Sequence, residues 1–527
     1  GFMAKHPLYK DRTKPVNVRI RDLLPRMTTQ DKVAQLHQVH AGVSGAKAVR
    51  ALAARGRIGS RILAATAWAG AETQVTVVVA ENNRVERINQ TRSRLGIPIL
   101  NGKDVIHGYR TILPIPLAQA AAFDPDLAEE GASLPALEAA SEGIHWTFSP
   151  MVDIARDPRW GRVIEGAGED PCLGAAMARA YVRGYQGRRP SDLSKKGKIL
   201  ACLKHYVGYG AAEGGRDYNT GEITDNALWN VYLPPFRAGV EAGAATVMSA
   251  FHDVNGEPAS GSRHLLTDVL RTGLGFRGFV VSDWESIAEM VYHHRCADGR
   301  EAAELGFSAG VDMDMVSGVY DRHLAGLVGQ GRISPEALDR SVETVLRAKF
   351  ALGLFEDPYT DPGQARRVIR KASHLEAARR IAARCMVLLK NKPGLLPLPP
   401  RGRTIALVGP MIDRKADLLG SWVQDGLGSE TASIAESLKE ELKGHKIRTA
   451  AHEDDVAWEV QHADLAVLVV GESASRTGEN GCVADILLPP GQRELIRQVA
   501  SLGRPVILAV VLAVHFGAGW QAAIAVG

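Results

Sequence analysis

Cysteine is scarce in this sequence, and the few cysteines are scattered. The 527 residues contain five of them, with no Cys-x-x-Cys pair. An odd number at irregular spacing predicts neither a disulfide framework nor a zinc site, so we expect buried thiols. Two other candidate metal pairs, Asp312 with Asp314 and His293 with His294, have spacings that fit no specific site. The five cysteines are Cys172, Cys202, Cys296, Cys385 and Cys482.

Long apolar runs are missing as well. The longest, such as residues 506–514, are too short to cross a bilayer and are typical of a core strand. No signal-peptide pattern opens the chain. We therefore expect no membrane interaction, and a cytoplasmic protein if Met3 is the native start. A periplasmic location would follow if a leader has been removed.

A strong charge of one sign is also absent. The 63 basic residues nearly balance the 59 acidic ones, which leaves a net charge of +4 without any block of like charge. Nucleic-acid binding therefore has no electrostatic support. A hydrophobic content of 45% and a charged content of 23% are ordinary for a globular protein. Because the chain is too long for one ordinary core, we expect two or more domains.

Short apolar runs alternate with amphipathic helical stretches from about residue 20 to residue 355. Residues 20–39 predict a first helix, capped by Thr28 or Thr29. Repeated strand–helix units of this kind predict a (β/α)8 barrel. A doubly wound open sheet is the alternative, but no glycine-rich phosphate loop follows any early strand. The predicted strands are 58–60, 97–100, 147–149, 199–203, 246–250, 279–282 and 311–315, and the helices between them include 127–141, 175–187, 227–243 and 300–310.

The last third of the chain predicts a second, smaller unit. A helix over 333–355, with Ser334 as its cap and Pro335 in its first turn, closes the barrel and is followed by a linker. A helix over 374–389 then opens an α/β domain of the α/β/α sandwich type, whose sheet we expect to be shortened at its C-terminal end. Its predicted strands are 404–408, 465–470 and 506–511, with helices over 431–443 and 491–502. The expected domains are the barrel at 1–357, the linker at 358–373 and the sandwich at 374–527.

Residues 279–284 carry the clearest functional signal. Phe-Val-Val at 279–281 predicts a short buried strand that stops at Ser282, Asp283 and Trp284. Residues just past the carboxyl ends of parallel strands face the ligand crevice. A carboxylate beside an indole there suits carbohydrate chemistry, because the first can act as a nucleophile and the second offers a flat apolar face to a sugar ring. The alternative is that Asp283 only caps a helix.

Charged side chains follow other predicted strands at equivalent places. An Asp, an Arg, a Lys and a His converging on a nucleophilic Asp would suit the hydroxyls of one sugar, because charged groups make stronger hydrogen bonds than neutral ones. Each also has a plainer explanation, since Arg162 could pair with Glu165 or Glu169 and His205 could be a core histidine. Their joint placement at strand ends favours the sugar site. The four residues are Asp104, Arg162, Lys204 and His205.

Four stretches, taken in order, resemble the motifs of glycoside hydrolase family 3, in particular its bacterial β-glucosidase branch. They are Lys-Asp-Val-Ile-His-Gly at 103–108, the run from Arg-Trp-Gly-Arg to Asp-Pro at 159–171, Lys-His-Tyr at 204–206 and Ser-Asp-Trp at 282–284. The similarity extends from about residue 20 to residue 510. The resemblance implies a barrel followed by an α/β sandwich, hydrolysis of β-linked glycosides with retention, and no metal or other cofactor.

The resemblance also assigns roles to individual residues. It implies that Asp283 is the nucleophile and that Trp284 shapes the pocket. Met248 and Phe251 match pocket-lining positions, of which the latter is often Tyr in relatives. The sugar at the non-reducing end is expected to be held by Asp104, Arg162, Lys204 and His205.

Retaining chemistry needs a second carboxyl group, which acts first as acid and then as base. In the family this group comes from a loop of the second domain, here residues 471–489, which contain Glu472 and Glu479. Glu479 stands at the spacing where similar enzymes place the acid/base, and Glu472, at the strand tip, is the second candidate. Asn-Gly-Cys-Val-Ala at 480–484 replaces a more polar run, so we expect a different leaving-group subsite.

Several alternatives remain open within and outside the family. A branch that cleaves N-acetylglucosamine has a His where this chain has Tyr209, which disfavours that branch. We expect an exo-acting β-glucosidase for terminal β-D-glucosyl residues, with a β-xylosidase or an exo-β-glucanase as the nearest alternatives. A catalytically weakened sugar-binding protein is the alternative of another class. The expected partner is a small carbohydrate, and an exposed edge of a shortened sheet would favour a homodimer.

Overall fold

The computed structural model describes residues 7–63, 75–391, 395–511 and 522–526. Its first part contains eight short barrel strands that alternate with helices, and a separate antiparallel hairpin of Asp253–Val254 with Glu257–Pro258. Every pairing between the barrel strands is parallel. Seven of the eight are buried throughout, and β1 is partly buried at its two ends. The strands are β1 His37–His40, β2 Ser60–Ile62, β3 Leu100–Lys103, β4 Trp146–Thr147, β5 Cys202–Tyr206, β6 Thr246–Ser249, β7 Phe279–Ser282 and β8 Asp314–Met315.

The eight strands form a closed ring made of two arcs. One arc has the order β8-β1-β2-β3-β4 and the other the order β5-β6-β7. Isolated parallel bridges join the arcs, from Trp146 to Leu200 and from Met151 to Lys204 on one side and from Val281 to Met313 on the other. The predicted (β/α)8 barrel is therefore confirmed.

The first barrel strand was not predicted. The helix start expected within residues 20–39 is confirmed, with Thr28 as its cap, but that helix ends at Gln35 and residues 37–39 belong to a strand. Helices occupy Val16–Leu23 and Thr29–Gln35, and β1 follows at once. The sequence of β1, His-Gln-Val-His, has no apolar pattern from which a strand could be predicted. The strand is nevertheless largely buried because of its place in the closed barrel. Gln38 lies inside the barrel, where its Nε2 donates to the Ser60 hydroxyl at 3.0 Å and its Oε1 has no hydrogen-bond partner among the described residues.

Helices surround the barrel and begin at capping residues that the sequence displays. Ser334 accepts from the Ala337 N–H at 3.1 Å and Pro335 is the first helical residue, as predicted. Two stretches, Leu228–Tyr232 and His264–Gly273, wind as wider π-helical turns. The other main helices of this domain are Ala41–Ala54, Val75–Arg92, Pro116–Ala121, Pro125–Ser141, Pro171–Gln186, Leu233–Glu241, Ser286–Glu289, Gly299–Ala309, Val319–Gly329 and Pro335–Ala351.

The second part of the chain is a three-layer α/β/α sandwich. Its sheet has the order β9-β14-β13-β12-β10-β11. The pairing of β13 with β14 is antiparallel, and the other four pairings are parallel. Helices Glu453–Gln461 and Pro490–Ser501 cover one face and helix Ile434–Glu441 covers the other, each over its own apolar cluster. The strands are β9 Val387–Lys390, β10 Thr404–Val408, β11 Lys446–Ala450, β12 Leu465–Gly471, β13 Val506–Val511 and β14 Ala522–Val526.

The helix expected over 374–389 is also too long. It spans Ala372–Arg384, and the following Val-Leu-Leu-Lys forms the edge strand β9 instead. The strands β9, β11 and β14 and helix Glu453–Gln461 were not predicted, whereas β10, β12 and β13 were. Residues 512–514 of the long apolar run lie outside the described residues. The predicted linker, residues 358–373, contains the helix Pro362–Val368. The domain boundaries after residue 357 and before residue 374 stay a prediction.

Buried ionic contacts dock the two domains and place loops of the sandwich over the barrel mouth. Lys103 Nζ lies 2.6 Å from Asp425 Oδ2, with both side chains buried. Glu138 of the barrel contacts His374 Nδ1 at 2.7 Å and accepts from the Arg370 N–H at 2.9 Å. In the described part of the chain, no helix is long and apolar enough to cross a membrane.

Candidate active site

A cavity of about 200 Å³ lies at the carboxyl ends of the barrel strands, below loops of the second domain. Most of its wall comes from the barrel, and three residues come from the sandwich domain. Seven predicted site residues of the barrel line it: Asp104, Arg162, Lys204, His205, Met248, Asp283 and Trp284. The sequence did not point to His40, Ile62, Phe148 or Met315, which complete the barrel side.

Asp283 lies one residue beyond β7, at the base of the cavity. Its Oδ1 accepts from the Trp284 N–H at 2.6 Å, and its Oδ2 accepts no hydrogen bond from the described residues. The helix that follows starts after Glu285, so Asp283 does not cap it. Burial raises the pKa of Asp283 well above its ordinary value and the Glu479 charge adds to this, whereas the charge of Arg162 opposes it. The unpaired Oδ2 is the oxygen available to a ligand.

Arg162 and Glu165 form a buried bidentate pair beside the cavity. Arg162 donates from Nε to Glu165 Oε2 at 2.6 Å and from Nη2 to Oε1 at 3.0 Å. Burial alone would raise the pKa of Glu165, but the Arg162 charge lowers it overall, so Glu165 stays ionised. Lys204 Nζ lies 3.3 Å from Asp104 Oδ1 and 3.8 Å from Glu165 Oε1. Arg162 therefore has both of the roles considered for it, since it pairs with Glu165 and also lines the cavity.

His205 is a neutral imidazole held in one orientation. Burial lowers its pKa well below the ordinary value, and the neighbouring charges of Arg162 and Lys204 lower it further. Its Nδ1 lies 2.8 Å from Asp153 Oδ2, and its Nε2 lies 3.0 Å from Arg162 Nη2. Because a guanidinium can only donate, Nε2 is the acceptor and Nδ1 carries the proton. Nε2 also lies 3.6 Å from Asp283 Oδ2, too far for a hydrogen bond, so the ring orientation is set by Asp153 and Arg162.

The two candidate acid/base residues lie in different places. Glu479 lines the cavity, accepts from the Tyr218 hydroxyl at 2.8 Å and lies 3.6 Å from Arg162 Nη1. Glu472 is buried next to the end of β12, outside the cavity, and faces Arg476 Nε at 3.1 Å. Of the two carboxyl groups, Glu479 is the one that faces Asp283.

The sandwich domain also contributes Trp422 and Gln424, which were not predicted. The Trp422 ring lies over Lys204 Nζ, 4.9 Å from the centroid, and its φ of 59° is left-handed. Gln424 Nε2 lies 3.4 Å from Asp104 Oδ2, while its Oε1 is buried without a hydrogen-bond partner among the described residues. Both residues come from a loop far from the barrel in sequence, so spacing offered no signal for them.

Phe251 is placed differently from its prediction. It is buried but is not one of the described residues that line the cavity. Its ring packs edge-on against Tyr218, with centroids 5.2 Å apart. Phe251 thus packs against Tyr218, the residue that donates to Glu479, and its role as a pocket-lining residue stays a prediction.

The candidate metal pairs have other partners. His293 Nδ1 lies 2.7 Å from Asp253 Oδ1, and Asp312 accepts from the Val280 N–H and the Ser341 hydroxyl. Within the residues that the structure describes, no group of three or more His, Cys, Asp or Glu side chains could hold a metal ion. Asp312 thus helps to hold the backbone of β7 in place.

Comparison with known families agrees with this geometry. The model of the glycosyl hydrolase family 3 N-terminal domain matches residues 28–348, and that of the C-terminal domain matches residues 386–523. The chain belongs to glycosyl hydrolase family 3. The resemblance stated from the motifs is thereby confirmed, and so is the order of a barrel followed by an α/β domain.

Relatives within glycosyl hydrolase family 3 are β-glycosidases. A periplasmic β-glucosidase of Salmonella typhimurium is 34% identical over 97% of this chain and 69% of its own length. A β-xylosidase of Formosa agariphila is 32% identical over 79% of this chain and 62% of its own length. The crystal structure of a β-glucosidase from Listeria innocua in complex with glucose has a TM-score of 0.87 at 34% identity, covering 97% of this chain and 72% of that one.

Proposed function

We propose that this protein is a retaining, exo-acting β-glucosidase that releases terminal β-D-glucosyl residues from β-glucosides and oligosaccharides such as cellobiose. The observation that carries this proposal is the meeting of Asp283 and Glu479, from two domains, at one cavity. A volume of about 200 Å³ suits a single sugar ring better than an extended polymer, which favours exo action.

Asp283 and Glu479 would divide the chemistry into two displacements. In the first, Glu479 protonates the glycosidic oxygen while Asp283 Oδ2 attacks the anomeric carbon, so the bond to the leaving group breaks as the ester to Asp283 forms. In the second, Glu479 takes a proton from water, whose oxygen attacks the same carbon and releases Asp283. Two inversions at one carbon give net retention.

The remaining charged groups would orient the sugar. Asp104 can accept from hydroxyl groups, and Lys204 can donate to them from the same side of the cavity. Arg162 has its Nη1 buried without a hydrogen-bond partner among the described residues, so it can donate to a ligand or to Glu479. Trp284, whose ring meets His40 at 5.0 Å between centroids, supplies an apolar wall.

A β-xylosidase is the second candidate function, since a β-xylosidase is among the relatives of similar identity. A xylose ring lacks the hydroxymethyl group of glucose, so the two activities differ in what the cavity must accommodate. Initial rates on aryl β-D-glucoside and aryl β-D-xyloside at equal concentration would separate them. A catalytically weakened sugar-binding protein would bind glucose and turn over neither substrate.

The test of the proposal is hydrolysis of the aryl glucoside by native protein, Asp283→Ala and Glu479→Ala. Asp454→Ala is the matched control, because that carboxylate has a side chain 94% exposed and lies outside the cavity. We expect native activity in the control, none in Asp283→Ala, and recovery of Glu479→Ala by azide, a small anion that needs no general base. Full activity in Asp283→Ala, or an inert native protein, would refute the proposal.

We also propose homodimer formation through the sheet edge. The edge strand β9 leaves Leu388 and Leu389 more than half exposed, which is a surface suited to a second copy. Light scattering after gel filtration should give twice the chain mass, and Leu388→Lys should give the monomer mass. A monomeric native protein would reject this part.

A further inference from the structure

We propose that Asp217 and Tyr218 are positioning residues for Glu479, so that the barrel itself aligns the acid/base of the second domain. This inference rests on the proposed function of Glu479. Asp217 and Tyr218 lie in the barrel loop that follows β5, distant in sequence from the sandwich. Neither was predicted as a site residue.

The loop that carries Glu479 is held by the barrel backbone. Gly161 N–H donates to Gly481 O at 2.9 Å, and Gly478 N–H donates to Gly161 O at 2.9 Å. Val483 N–H adds a bond to Arg159 O at 3.1 Å. This short antiparallel ladder spans both sides of Glu479, so the loop cannot move without separating from the barrel.

Asp217 fixes the backbone beside Glu479. Its Oδ2 accepts from the Asn480 N–H at 2.7 Å, and its Oδ1 accepts from Trp160 Nε1 at 2.9 Å and from the Tyr209 hydroxyl at 2.6 Å. Two buried aromatic donors therefore hold the Asp217 carboxylate still. Asn480 has a left-handed φ of 61°, a conformation that Asn tolerates better than most residues, and the Asp217 bond holds it there.

Tyr218 fixes the carboxylate of Glu479. Its hydroxyl donates to Glu479 Oε1 at 2.8 Å, and its ring is supported edge-on by Phe251. The φ of Tyr218 is 66°, which is a strained conformation for a bulky side chain and is typical of functional sites. Arg162 also contacts Oε1, so we assign Oε2 as the oxygen that meets the leaving group.

The test measures kcat/KM of Tyr218→Phe and Asp217→Asn on aryl β-D-glucosides with leaving groups from phenol to dinitrophenol. A poor leaving group needs the proton of Glu479, and a good one does not. We expect kcat/KM to fall about tenfold or more for the phenyl substrate and less than about threefold for the dinitrophenyl one, as part of the 10²- to 10⁴-fold that a general acid supplies.

Tyr292→Phe is the matched control, since Tyr292 is 82% exposed and does not line the cavity. It should keep native rates on every substrate. An equal fall across all leaving groups, or no fall, would overturn the inference while leaving the proposed function intact. If Asp217→Asn unfolds, Tyr218→Phe alone decides, because it removes a single oxygen from a partly exposed ring. A native protein inert on every substrate would instead refute the proposed function.

Discussion

The Lys103–Asp425 pair, which joins the barrel to the loop bearing Trp422 and Gln424, offers a quantitative test of how the cavity is assembled. At 2.6 Å the attraction between the two charges is about 6 kcal/mol for an effective dielectric constant near 20, most of which offsets their lost hydration. Asp425→Ala leaves Lys103 buried and uncompensated, so we expect a loss of about 3–5 kcal/mol in domain docking. Replacing both, as Lys103→Met with Asp425→Leu, should recover most of that loss.

Calorimetry and steady-state kinetics together check this prediction. For a domain of this size the loss corresponds to about 10 °C, so the second domain should unfold well before the barrel in Asp425→Ala. KM for the aryl glucoside should rise at the same time, because Trp422 and Gln424 lose their anchor. The exposed pair Lys443–Glu440 is the control, and its removal should leave the unfolding temperature unchanged. Equal and additive losses from the two single changes, with no recovery in the double variant, would refute the reasoning.

Three further predictions concern single side chains. Because burial raises the pKa of Asp283, the acidic limb of kcat/KM should lie above the ordinary value of about 3.8, and a pH–rate profile falling only below that value would contradict this. Burial also raises the pKa of Glu142 from 4.5 to about 7, so the folded protein binds this proton more tightly than the unfolded chain does. The free energy of unfolding should therefore fall by about 3 kcal/mol as pH rises from 4.5 to 7. Glu142→Gln should abolish this fall in thermal melts across pH. Gln424→Ala should raise KM for the glucoside about two- to tenfold, the worth of one hydrogen bond, with kcat nearly unchanged.

The sequence allowed prediction wherever a local pattern and the fold agreed. An apolar run that stops at a carboxylate located β7 and Asp283, and the family motifs led to Arg162, Lys204 and His205. The strand β1 escaped prediction because a closed barrel buries polar residues as readily as apolar ones. Three predicted strands, 58–60, 97–100 and 199–203, end two to three residues early, and the last two do so because β3 and β5 continue into buried charged residues.

The contributions of the second domain could not be predicted from sequence patterns alone. Trp422 and Gln424 reach the cavity only because the domains dock through buried ionic contacts. Asp217 and Tyr218 act on a loop more than 250 residues away, as the separation of 261 between Tyr218 and Glu479 shows. Such contacts are decided by domain geometry, which no periodicity records.

The two seams of the barrel give the bound sugar a mechanical role. One arc of strands carries Asp104 and the other carries Lys204 and Asp283, and isolated bridges join the arcs. The 3.3 Å contact between Asp104 and Lys204 already spans one seam. A sugar bound by all three side chains would therefore link the two arcs across the seam that Asp104 and Lys204 already span.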